Sequence, residues 1–115
     1  MQVTWIKSTT NEWLPLNTFN LNGVSGNGVY VIWHAGNPSK VVYVGEGDIA
    51  ARLTAHRTNA AIQKYAPHGL LVTWAYVGTQ AHRDGIERYL ADNSGPLVGD
   101  AHPDVVPIAV NSPWS

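Results

Sequence analysis

The chain has 115 residues, 44% of them hydrophobic, with seven Lys and Arg against eight Asp and Glu for a net charge of −1. That length predicts one domain with enough apolar surface for a core, which five tryptophans enlarge. Zero cysteines exclude a disulfide framework and thiolate zinc sites, no apolar run approaches the ~18 residues of a membrane span, and neither a basic start nor a long apolar run marks a signal peptide, so the expected location is cytoplasmic.

Residues 2–6 read as a short strand, and 13–21 as an ordered loop with apolar anchors among asparagines. Asn22-Gly23 and Gly26-Asn27-Gly28 are turn punctuation. Residues 29–34 and 41–44 are β-branched and aromatic and flank Ala35-Gly36-Asn37-Pro38, a hairpin pattern. Pairing His34 with Ser39 across that four-residue loop sets Tyr30 directly opposite Tyr43. Side chains alternate faces along a strand, so both phenols are expected on one face and in reach of each other.

Asp48 suits an N-cap for a helix running to about residue 65, with Pro67 and Gly69 ending it. Ile49, Leu53 and Ala60 form its apolar stripe, and Arg52 and His56 fall in or beside that stripe. Polar groups on a packing face cost energy unless partnered, which makes this pair a physical pointer to a site. Residues 70–77 read as a third, buried strand, and 81–93 as a helix carrying Glu87, closed by Asn93-Ser94-Gly95-Pro96. In the tail, 105–110 reads as an edge strand. No repeat, low-complexity tract or linker divides the chain. The expected fold class is α+β: a small three-stranded antiparallel sheet flanked by helices, extended by edge strands from the termini.

Two tripeptides stand out, Gly28-Val29-Tyr30 and, with its tyrosine thirteen residues after the first, Tyr43-Val44-Gly45. Followed by a helix with Arg52 and His56, a strand, and a helix with Glu87, their order and spacing resemble the GIY-YIG nuclease family. The likeness covers residues 28 to about 99, with 1–27 and 100–115 as extensions outside it. It implies a metal-dependent endonuclease that hydrolyses DNA phosphodiester bonds with one divalent ion, Mg2+ or Mn2+, held by Glu87. The catalytic set it implies is Tyr30, Tyr43, Arg52, His56 and Glu87. Magnesium keeps several waters and commonly takes one or two carboxylates, so a single glutamate suits it. Tyr30 would act as general base or position the water, with Arg52 or the ion lowering its pKa from about 10. Arg52 would also hold charge on the phosphoryl oxygens, and Tyr43 and His56 would orient the phosphate. One departure is plain: where the family has Pro-x-x-Asn, this chain has Pro96-Leu97-Val98-Gly99, with Asp100 adjacent.

Each residue also has an ordinary reading. Strand tyrosines are commonly core, Arg52 and His56 could share a solvated helix face, and Glu87 could simply pair with Arg83, four residues earlier. His34, His68, His82 and His102 are expected at the surface or in turns. The charge balance implies modest DNA affinity through counterion release, eased by His56, Arg57 and Lys64 sharing a helix with Arg52, and by Arg83 and Arg88 on the next. A protein partner or homo-oligomer is the expected source of extra affinity, and no membrane partner is expected. Two further readings stand beside the nuclease: a catalytically weak nucleic-acid-binding or adaptor module on the same scaffold, and an interaction domain using Trp5, Trp13 and Trp114.

Overall fold

A computed structural model of the chain describes residues 1–99 and 104–114. The fold is α+β. Four antiparallel strands, β1 (Leu14–Pro15), β2 (Asn27–His34), β3 (Lys40–Asp48) and β4 (Leu70–Tyr76), lie in the order β1-β4-β2-β3. Helices α1 (Ile49–His56) and α2 (Ala60–Gln63) follow β3, a 3-10 turn spans Ala66–His68, and α3 (Gln80–Ser94) follows β4.

The β2 strand is central, and all its residues after Asn27 are buried. Its near-continuous apolar run is what a strand covered on both faces requires. One face packs Tyr30, Ile32, Val72 and Trp74 against Leu53 of α1 and Ile62 of α2. The other packs Val29, Val31 and Val44 against Ile86 and Leu90 of α3. At Gly28 a Cβ would run into the Ala75 carbonyl, so the glycine lets β4 approach β2.

Several boundaries differ from the sequence reading. Residues 2–6 form no strand, although the Ile6 N–H donates to the Trp74 carbonyl and Thr73 Oγ1 donates to the Ile6 carbonyl. The short strand lies instead within the expected loop, where Leu14 and Pro15 pair with Val72 and Leu71. Proline is tolerated there because the strand is outermost and needs no donor on its free side. The single helix expected to residue 65 is broken after α1, because the Asn59 side chain accepts the Ile62 N–H at 3.2 Å and starts a new helix. Ala60 is accordingly exposed and leaves the apolar stripe, and Ile62 takes its place in the core.

Residues 105–110 form no strand either; the Ile108 N–H donates to the Gly85 carbonyl at 2.9 Å, laying the tail on α3. His34 is buried, not a surface residue: its ring stacks on Tyr65 at 5.6 Å and its Nδ1 accepts the Gly36 N–H. His68 and His82 are exposed, as expected. His102 and Asp100 lie outside the described residues. Among the described residues no helix is long and apolar enough to cross a membrane.

Candidate active site

The hairpin of β2 and β3 carries both tyrosines, and its register is shifted from the simple expectation. Tyr30 faces Gly45 and Tyr43 faces Ile32. His34 pairs with Lys40, not Ser39, which lengthens the loop by one, and a bulge at Ile32/Trp33 adds a second residue. An offset of two is even, so the alternation of faces survives it. The two phenol rings stack with centroids 6.0 Å apart and planes 17° apart.

Gly45 explains why the tripeptides go together. A Cβ at that position would overlap Tyr30 Cζ and Oη, so the phenol lies across the bare backbone of its partner strand. The first motif supplies the ring and the second supplies the space for it.

The α1 helix then places His56 over both rings. Tyr30 Oη and His56 Nε2 are 2.6 Å apart, and the imidazole lies 4.6 Å from the Tyr43 ring. Burial, and after it the positive charge of Arg52, pushes the His56 pKa down to about 4. The ring is therefore neutral near pH 7, and its buried Nδ1 has no hydrogen-bond partner among the described residues.

Arg52, one turn earlier, is exposed; only His56 of the pair enters the packed face. The two phenols raise the Arg52 pKa, Tyr30 more than Tyr43. Tyr30 itself is 0% exposed. Its burial lifts the phenol well above the ordinary range, and the nearby Arg52 charge opposes this without overcoming it. Arg52 thus acts in the direction expected of a nearby cation, but it does not bring the phenol below its ordinary range, because desolvation of a fully enclosed group outweighs one solvent-exposed charge. Tyr43, half-buried, is the phenol nearer to solvent.

Glu87 comes from α3. Its negative charge acts on Tyr30 in the same direction as burial, as the smallest of the influences on that phenol, while the buried residues of α3 pack on the opposite face of the sheet from Tyr30. Arg83, one turn before it, sets the position of that helix against β3. It is buried and donates to Glu46 at 3.0 Å, to the Val77 and Gly78 carbonyls, and to Gln80. The sequence-level pairing of Arg83 with Glu87 gives way to this Arg83–Glu46 bridge.

Gly99, in place of the asparagine of the GIY-YIG pattern, lies beside the same cluster. Its φ is +90°, and a Cβ there would meet Tyr43 Cε2 at 3.1 Å. The Val98 N–H donates to the Val42 carbonyl at 2.8 Å, which brings this segment to the edge of β3. Glycine is suited to that conformation and that closeness.

The expected basic clusters dissolve on folding. Arg57 donates to the Leu16 and Phe19 carbonyls and holds the N-terminal loop; Arg88 pairs with Asp92; Arg83 is enclosed; His56 is neutral. Among the described residues, no group of three or more His, Asp or Glu side chains is gathered, and the carboxylate acting on Tyr30 is that of Glu87. A single oxygen ligand of this kind fits a magnesium ion that keeps most of its waters.

Of the five residues singled out from sequence, Tyr30, Tyr43 and His56 meet ring to ring, Arg52 acts on both phenols, and Glu87 of α3 acts on Tyr30 by its charge. The sequence reading did not find Gly45 as the floor of the site or Glu46 as the anchor of α3. The signal for the second was a carboxylate next to the motif glycine, on a strand with little other charge. The chain matches no protein-family model, no curated protein and no solved structure.

Proposed function

We propose that this chain is a metal-dependent endonuclease of the GIY-YIG kind, cutting DNA phosphodiester bonds. The observation that supports it most is the meeting of the Tyr30, Tyr43 and His56 rings within 6.0 Å, under an exposed arginine and beside the carboxylate charge of Glu87. In the reaction a water oxygen adds to phosphorus, its proton passes to a base, and the bond to the 3′ oxygen breaks. A divalent ion at Glu87, when bound, supplies charge for the phosphate and the departing oxygen. Arg52 holds the phosphoryl oxygens from the solvent side. Tyr43 suits the base better than Tyr30, since water reaches its half-buried phenol; Tyr30 serves to hold His56 in place. The engaged cations leave little for gripping a duplex, so a protein partner or a second copy supplies the remaining affinity.

Purified protein with Mg2+ or Mn2+ is expected to nick plasmid DNA. Glu87→Ala is expected to lower the rate at least a hundredfold with an unchanged urea midpoint. Cleavage by Glu87→Ala at the parent rate refutes the one-metal assignment.

A second reading has its own support in the enclosure of Tyr30 and the glycine at 99: a binding or adaptor module that holds structured DNA without cutting it. Its signature is retained binding with no cleavage under any metal, and turnover lost on Arg52→Ala removes it.

A further inference from the structure

On the face of the sheet opposite His56, three indoles form a continuous ladder. Trp13 meets Trp33 edge-on at 5.3 Å, and Trp33 meets Trp114 edge-on at 5.2 Å. Lysines stand at both ends: Lys7 Nζ lies 4.2 Å above the Trp13 ring, and Lys40 lines the cleft beside Trp33 and Trp114. Trp114 is 49% exposed although it is among the largest apolar side chains of the molecule.

The ladder borders two adjoining hollows of about 840 and 300 Å3, between the start of β3, the C-terminal half of α3 and the tail. Both share Ser39, Lys40, Val41 and Trp114. The larger adds Tyr89 and Asn93. That volume falls in the range of small-molecule sites, about 300–1,000 Å3. Among the described residues lining either hollow, Lys40 is the one with a charged side chain. An aromatic platform with a single cation at its rim selects a ligand with a flat ring and a negative charge.

We propose that this cleft binds a segment of single-stranded nucleic acid, one base stacking on Trp114 and the adjoining phosphate meeting Lys40. Base–indole stacking with a cation on the backbone is the general chemistry of strand binding without sequence preference. The location favours a strand over a free nucleotide. Lys40 opens β3, and Tyr43 lies three residues along the same strand, about 10 Å at the ordinary rise. The tyrosines lie on the other face of the sheet, so a strand leaving the cleft reaches them by passing over Leu97 and Val98, which cover β3 at Val41 and Val42. The inference rests on the nuclease reading for the choice of nucleic acid, and it deepens that reading by naming a substrate with an unpaired arm.

The test is tryptophan fluorescence titration of the full chain, without metal, with a short oligothymidylate, with thymidine monophosphate, with a blunt duplex and with a proline-rich peptide. The expected result is quenching by the oligothymidylate, weakened about tenfold or more in Trp114→Ala and weakened with a shallower salt dependence in Lys40→Gln. Trp114→Phe, which keeps a flat ring, is expected to restore most of the affinity, and this separates stacking from misfolding. Thymidine monophosphate binding as tightly as the oligomer assigns the cleft to a free nucleotide and overturns the proposal. Equal binding by parent and Trp114→Ala, or preference for the duplex or the peptide, overturns it as well. A chain that binds the strand through Trp114 yet cuts nothing leaves this inference standing while the nuclease reading falls.

Discussion

A methyl group at Gly45 would occupy the space of the Tyr30 phenol, and this makes one carbon the sharpest probe of the site. Overpacking of a filled interior costs about 1–3 kcal/mol, and more where the neighbour cannot turn aside. Gly45→Ala is therefore expected to lose about 3 kcal/mol or to fail to fold, read from urea unfolding. Adding Tyr30→Phe should recover part of that loss, since the hydroxyl is one of the overlapping atoms, though Cζ remains. His56 offers a second residue-level prediction. Its folded pKa of about 4 lies below the unfolded value of 6.5, so the unfolded chain binds the extra proton between these values. Stability is full above about pH 6.5 and falls as pH drops toward 4, by up to a few kcal/mol at about 1.4 kcal/mol per unit. His56→Gln should flatten the urea midpoint over that window; an unchanged slope would show that the imidazole is not held neutral.

At the scale of elements, the placement of α3 depends on one enclosed ion pair. Arg83 is 7% exposed and ties the end of β4, through the Val77 and Gly78 carbonyls, to Glu46 of β3. Removing one partner of such a pair leaves a charge with poor solvation, which costs about 3–5 kcal/mol when burial is deep. Since Glu46 keeps some exposure, Glu46→Gln is expected to cost about 2 kcal/mol, and on the proposed nuclease reading the nicking rate is expected to fall as Glu87 shifts. The Arg88–Asp92 pair on the same helix is open to solvent, and Asp92→Asn should cost about 0.5 kcal/mol or less. Equal effects of the two changes would contradict the structural role given to Arg83.

Across the whole molecule, charge is distributed for structure more than for a polyanion. Of the cations near the phenols, Arg52 is exposed, Lys64 lies 5.6 Å over the Tyr65 ring, and Arg57 is committed to backbone carbonyls. Two available charges predict a salt dependence of duplex binding with a slope of about −2. Electrophoretic titration of the monomer across salt concentrations checks this, and a slope near −6 would require cations from a second chain. The edges of the sheet are also blunted, one by an outer strand of only two residues that carries Pro15 and the other by Leu97 and Val98 on the Val41 and Val42 carbonyls. A two-residue outer strand with a proline and a partly covered β3 disfavour edge-to-edge sheet growth, which points self-association to side-chain surfaces.

Local pattern was enough to reveal the hairpin, the helix start at Asp48, the third strand and the last helix, because apolar periodicity and a closing glycine act over a few neighbours, although the Asp48 side chain itself makes no capping hydrogen bond. It also put both tyrosines on one face, a conclusion that outlasted a two-residue error in register because faces repeat every second residue. What sequence could not supply was anything settled by distant atoms. The α1–α2 break turned on Asn59 preferring the Ile62 N–H, and the tail chose the bare backbone of Gly85 over a strand partner. The pKa of Tyr30 depended on how completely the core closed over it, and the partner of Arg83 on which carboxylate the packing brought near. Composition and spacing thus determined which groups were available. Only the tertiary structure decided which of them kept their water, and desolvation is the term that changes the chemistry of a phenol, an imidazole or a guanidinium the most.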